Sequence, residues 1–112
     1  MATDYFLGDA TLAAAFSAER MAKQDCFRSD RLFLGLNCLK RGQSQRTHHH
    51  DGADKFYLVL SGKARIEVDG TRRELGPRGI AWAPSGISHG IIEALEDSVL
   101  LVGMAPPPER ET

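Results

Sequence analysis

Turn residues, more than any apolar run, limit what this chain can fold into. Between residues 32 and 104 the punctuation is Gly42, Asp51-Gly52, Ser61-Gly62, Asp69-Gly70, Gly76-Pro77 and Pro84-Ser85-Gly86. Such residues supply positive φ or a fixed φ and end regular structure. What lies between them is too short for packed helices and the right length for strands, which typically run about 5–6 residues. The pattern predicts eight strands, at 32–39, 45–50, 55–61, 63–69, 71–75, 80–83, 89–94 and 99–104. Ile66 and Val68 alternate with Arg65, Glu67 and Asp69, as a half-buried strand requires. Leu32, Leu34, Leu36 and Cys38 share one face of their strand, with Gly35 and Asn37 on the other. Asp69-Gly70 is the strongest hairpin signal, because both residues tolerate positive φ. Many short strands with turns at this spacing describe an all-β sandwich or barrel.

The ends differ. Residues 9–24, DATLAAAFSAERMAKQ, place Leu12, Ala15, Phe16 and Glu19 at helical spacing, with Asp9 or Thr11 as a cap, and predict a short N-terminal helix. The organisation expected is one domain: a helical or irregular segment over 1–31 packing on a barrel over 32–105, then a tail over 106–112 whose Pro106-Pro107-Pro108 cannot enter a sheet. Fourteen basic against 15 acidic residues give no electrostatic bias toward nucleic acid or anionic membrane. No apolar run approaches the roughly 20 residues of a membrane span, and the first ten residues carry acidic side chains where a secretory signal carries basic ones. A cytoplasmic protein is expected. Cys26 and Cys38 are then two free thiols.

The chemistry gathers at His48, His49 and His50, three of the four histidines in the chain. In a strand His48 and His50 share a face, roughly 6–7 Å apart at the backbone, and His49 points the other way. Two imidazoles so placed can converge on one ion at about 2.0–2.2 Å. Taken alone, the run also fits a solvated loop; its internal position argues against a tag. His89, the fourth, follows its own Pro84-Ser85-Gly86 turn and enters a strand at its first position. Three imidazoles suit zinc, iron, copper, nickel or cobalt and leave coordination positions open.

These residues resemble the two motifs of the cupin family, small jelly-roll barrels that hold a metal or ligand inside. In the first motif, G-x5-H-x-H-x3,4-E-x6-G, Gly42, His48, His50 and Gly62 fall in register. In the second, G-x5-P-x-G-x2-H-x3-N, Gly79, Pro84, Gly86 and His89 match with one spacer residue missing after Gly79. The resemblance covers about residues 32–104. It implies a cupin-type jelly-roll barrel, one divalent transition metal ion (Fe, Zn, Ni, Mn or Cu) held by His48, His50 and His89, and a homodimer. The apolar strand 32–39 and the N-terminal segment are the expected dimer surface or swapped edge.

Two departures bear on the chemistry. Lys55 stands where the first motif has glutamate, beside Asp54, and Glu93 replaces the final asparagine of the second. Lys55 either points inward, to receive an anion or move a proton, or snorkels to solvent while Asp54 approaches the metal. Glu93, roughly 13 Å along the strand from His89, is too far to share its ion. Tyr57 shares parity with Lys55 and is either a pocket wall or a core tyrosine. Trp82 is expected in the core. Arg65, Glu67, Arg72, Arg73 and Glu74 read as a solvated edge. Lys55 and Tyr57 are thus the catalytic candidates. The resulting expectation is a metal-dependent enzyme, an oxidoreductase of the dioxygenase kind or a Lewis-acid isomerase or lyase, acting on a small anionic or carbonyl substrate. The alternative is a non-catalytic small-molecule binding module whose metal is structural or absent.

Overall fold

The structure is a computed structural model, described over residues 4–109. Nine strands form it: β1 (Ala22–Arg28), β2 (Phe33–Leu39), β3 (Gln45–His48), β4 (Asp54–Ser61), β5 (Ala64–Val68), β6 (Thr71–Leu75), β7 (Ile80–Ala83), β8 (His89–Ala94) and β9 (Ser98–Ala105). All pairings are antiparallel, in a five-stranded sheet ordered β1-β2-β9-β4-β7 and a four-stranded sheet ordered β3-β8-β5-β6. This is the all-β architecture expected from the turn spacing, in the jelly-roll form that the resemblance implied.

The core fills the space between the sheets. Tyr57 and Val59 of β4, Leu100 and Val102 of β9, and Leu39 of β2 meet Ala64 and Ile66 of β5 and Ile91 and Ala94 of β8. Period-two alternation sends every second residue inward. Ala81 and Ala83 of β7 therefore pack inward, whereas Ile80 and Trp82 are 63 % and 64 % exposed on the outer face. Trp82 is not a core residue. Its size suggested burial, but the inner positions of this short strand, beside Lys55 and Tyr57, are held by Ala83 and Ala81.

The N-terminal helix is a second correction. Only Ala10–Ala13 is helical, a single 3-10 turn whose Asp9 side chain accepts the Thr11 N–H. Apolar spacing over 9–24 was shared by two different structures: Ala10 and Ala14 pack on Leu36, Cys38 and Val99 outside the five-stranded sheet, while Ala22–Arg28 pairs with β2 as an edge strand. The sheet therefore begins at Ala22, ahead of residue 32, and β2 is flanked by β1 and β9 rather than being an edge. Leu36 and Cys38, which share one face of β2, point outward under the chain's own N-terminal segment.

Two glycines fix turns between strands. Gly62 has φ +83, and a Cβ there would lie 2.3 Å from the Asp97 carbonyl oxygen, so β4 can turn into β5 only at glycine. Gly86, φ +81, closes the turn before β8 and donates its N–H to the His50 carbonyl at 2.9 Å. Cys26 and Cys38 are free thiols. No helix among the described residues is long and apolar enough to cross a membrane.

Candidate metal centre

β3 and β8 bring the histidines together. His48 and His89 are direct partners across that pair, beyond an irregularity in register between Gln45 and His48. His50 lies past the end of β3, and its position is set by a clamp. Gly86 N–H donates to its carbonyl, Gly52 N–H donates to Ser85 Oγ, and Ser85 N–H donates to Asp54 Oδ1. The two motif loops are thus tied to each other by three hydrogen bonds. Ring centroids stand 4.4 Å apart for His48–His89, 4.8 Å for His48–His50 and 5.5 Å for His50–His89. One nitrogen from each lies within 4.8 Å of the others, a group that can hold a metal ion.

Local hydrogen bonds decide which nitrogens are available. His48 Nδ1 lies 2.7 Å from the Arg46 carbonyl oxygen and His89 Nδ1 lies 2.9 Å from that of Ile87. A carbonyl only accepts, so each Nδ1 carries its proton and each Nε2 presents a lone pair. His89 is 1 % exposed, and its Nε2 is buried without any hydrogen-bond partner. A buried acceptor left unpaired costs free energy, and a cation supplies the missing partner. Burial lowers the pKa of all three imidazoles, His89 to about 4, and the Lys55 charge lowers each further. At neutral pH the three are uncharged, the state in which imidazole ligates. The donor set therefore fits a divalent transition metal.

Lys55 resolves in favour of the inward reading. It is 5 % exposed and lines the same cavity as His48 and His50. Burial, then the nearby charge of Lys23, lowers its pKa to about 8. Its Nζ sits 4.9 Å from the centroid of the Tyr57 ring. Asp54, by contrast, is exposed and spends a carboxylate oxygen on the Ser85 N–H; it belongs to the clamp, not to the histidine cluster. Tyr57 is a core residue that reaches the cavity only through Gln45. It is fully buried, its ring is 6.1 Å from that of His89, and its hydroxyl donates to Gln45 Oε1. Burial raises its pKa, so the phenol keeps its proton.

Glu93 points away from the site because of a β-bulge. The β5–β8 register slips between Arg65 and Ile66, so Ala94 takes the inward position and Glu93 pairs with Arg65 at 3.4 Å. Arg65 also bridges to Glu74, and Glu67 to Arg72, on the same solvated surface. His49 is exposed. Three residues of the site were not singled out from sequence: Gln45, Asn37 and Lys23. Asn37 carried a signal, being the one polar side chain in an otherwise apolar strand. Lys23 carried none, since its strand was read as helix.

A two-sheet barrel with three imidazoles converging inside its wall defines the class of small antiparallel barrels that hold a metal or ligand within. The chain belongs to the cupin family, whose domain model matches residues 35–102. Protein TT1209 of Thermus thermophilus is similar in structure at a TM-score of 0.85 and 37 % identity, over 91 % of this chain and 98 % of that one. KdgF from a Halomonas species has the same fold, with a TM-score of 0.81 at 19 % identity, over 96 % of this chain and 97 % of KdgF. The uncharacterized protein SCO3923 of Streptomyces coelicolor is 29 % identical over 94 residues, 80 % of this chain and 89 % of its own.

Proposed function

We propose that this chain is a metal-dependent enzyme acting on a small anionic or carbonyl-bearing molecule inside the barrel. His48, His50 and His89 would hold the ion. The observation that carries the reading is the His89 Nε2: a buried lone pair with no partner, in a cluster whose other members, His48 and His50, are uncharged at neutral pH. A bound ion supplies Lewis acidity toward a substrate oxygen or, if it is redox-active iron or copper, the electron transfer of an oxidoreductase such as a dioxygenase. The chain's own residues supply the rest. Lys55, with its pKa lowered to about 8, exchanges a proton close to neutral pH or holds an anion. The Tyr57 hydroxyl is committed to Gln45, so Tyr57 fixes that lining side chain rather than moving protons itself.

Metal content of protein purified without an affinity tag, measured by inductively coupled plasma mass spectrometry beside His50→Ala, tests this. One transition-metal ion per chain, lost in the variant while the circular dichroism spectrum is retained, supports the site, and its identity separates oxygen chemistry from Lewis-acid chemistry. No metal after anaerobic incubation with Fe(II) and the other divalent ions overturns it in favour of a metal-free binding module.

We also infer a homodimer. Support comes from Ile80 and Trp82, exposed on the outer face of the five-stranded sheet, and from the further exposed apolar side chains Leu32, Tyr5, Phe6 and Leu12. Exposed apolar side chains in this number on a small domain mark a contact surface, and a second copy offers the matching one. We further propose a cytoplasmic location, which the two free thiols support.

A further inference from the structure

Gln45 lines the same cavity as His48 and His50, although it stands three residues before His48 and by simple alternation faces the other way. A bulge in β3 turns it inward. Gln45 pairs with Ile91 and His48 with His89, so three steps along β3 match two along β8 and one extra residue is taken up between them. Exposure follows that count: Gln45 and His48 are half-buried, and the two residues between them, Arg46 and Thr47, are both exposed. Ile91 belongs to the core and His89 to the histidine cluster, so both partners on β8 face inward, and cross-strand partners share a face. β8 leaves room for the bulge at Gly90, where a Cβ would lie 2.8 Å from Thr47 Cα and 3.0 Å from the Gln45 carbonyl oxygen.

The carboxamide brought inward is held in one orientation. Tyr57 is fully buried, and its hydroxyl donates to Gln45 Oε1. Turning the amide over would set Nε2 against that hydroxyl and leave the phenol proton buried without an acceptor, the costly arrangement. Nε2, with its two N–H groups, is therefore the end of the side chain that Tyr57 does not engage. It is not sealed in the core, because Gln45 is half-buried on the cavity wall.

We propose that Gln45 is a specificity-determining residue: its Nε2 donates a hydrogen bond to an oxygen of the substrate, and Tyr57, which touches no substrate, positions it. The substrate is then a small molecule with two oxygen acceptors, a hydroxy or oxo carbonyl compound, with one oxygen for the ion at His48, His50 and His89 and one for Gln45. The inference deepens the enzymatic reading and rests on it only for the first of these oxygens. An analogue with a methyl group in place of the second oxygen leaves the amide unpaired and is rejected on that account.

The test is an NMR titration of the full chain loaded with Zn(II), read at the Gln45 side-chain amide. The probe is hydroxyacetone, and butan-2-one, which has a methyl group where hydroxyacetone has its hydroxyl, is the control. Hydroxyacetone is expected to shift the Gln45 NH2 signals saturably and to bind about tenfold more tightly than butan-2-one, the worth of one hydrogen bond. Gln45→Glu is the matched variant: its carboxylate still accepts the Tyr57 hydroxyl but has no N–H to donate, and both probes are neutral. It should keep the wild-type melting temperature and lose the preference for hydroxyacetone. Tyr57→Phe should keep Zn(II) uptake and reduce the same preference, which a purely structural tyrosine would leave alone. Gln45 signals unmoved by hydroxyacetone, equal shifts and affinities for the two probes, or an undiminished preference in Gln45→Glu overturn the proposal. Failure of the metal reading is seen separately, as a chain that takes up no Zn(II); the same titration on that chain still decides for or against Gln45.

Discussion

His48 and His89 face each other across β3 and β8 with their rings 4.4 Å apart, and each holds its Nδ1 proton against the carbonyl two residues before it. The matching i−2 bonds make the two imidazoles a prepared pair, with Nε2 of both free for the same ligand. His89→Leu should therefore abolish metal loading, weakening affinity by more than about 100-fold given what loss of even a supporting contact costs such sites. In metal-free protein the same change should be close to neutral, since an orphaned polar atom is exchanged for an apolar group of similar size. Calorimetric metal titration and thermal melts of both proteins check the two halves.

The pH dependence of the metal-free fold has a fixed sign. Burial holds His89 at about 4 in the folded chain, against about 6.5 when unfolded. Between those values the unfolded state binds more protons, so acidification favours unfolding. Stability from this group is complete above pH 6.5 and is lost as pH falls toward 4, at a limiting slope of about 1.4 kcal/mol per pH unit. Denaturant melts in chelator from about pH 7.5 to about pH 4.5 should show at least that slope in wild type, because His48 and His50 are lowered as well and add to it, and a shallower one in His89→Leu. Equal slopes would place the acid sensitivity elsewhere.

How much of this was legible in sequence follows from which signals act locally. Turn residues do, so the hairpins from Ala64–Val68 onward stand where glycine and proline put them. His48, His50 and His89 were readable because each is set by a short motif with its own turn. Trp82 and β1 were not, because both depend on packing. Alternation fixes that Ile80 and Trp82 share a face but not which face is inside, and an alanine-rich segment fits a helix until a neighbouring strand offers Ala22–Arg28 a partner. Glu93 was rightly set apart from the metal, but the cause is a bulge no spacing announced.

Lys55→Glu would put back the residue that the first cupin motif carries. Since Lys55 faces the cavity with the histidines, the change replaces a repelling charge by an attracting one beside the ion's position. Divalent metal affinity should rise at least tenfold in competition with a fluorescent chelator. An unchanged affinity would mean that the side chain at 55 is too far from the ion to matter.

Asp54 offers a contrast. Its carboxylate accepts the Ser85 N–H at 2.9 Å, and through that turn it helps place the His50 backbone. An amide oxygen accepts equally well, so Asp54→Asn should keep both metal and fold, whereas Asp54→Ala should cost about 1 kcal/mol of stability and loosen the metal through His50. Full loss of metal in the asparagine variant would instead make the carboxylate a ligand.

The inferred homodimer can be read through Trp82, the only tryptophan in the chain. Its 64 % exposure in one chain predicts red-shifted emission for a monomer. The row that Trp82 belongs to runs Trp82, Phe56, Gly103 and Leu34 across the outer face of the sheet, and Phe56 lies directly over Gly103. A second copy docking on that row removes the indole from water, so emission should shift to the blue as concentration rises, with light scattering giving twice the chain mass. Ile80→Lys combined with Trp82→Glu should give a monomer without loss of the circular dichroism spectrum, because neither side chain contributes to the core. Light scattering that reports one chain for the wild type at micromolar concentration would remove the dimer and leave the row as bare surface.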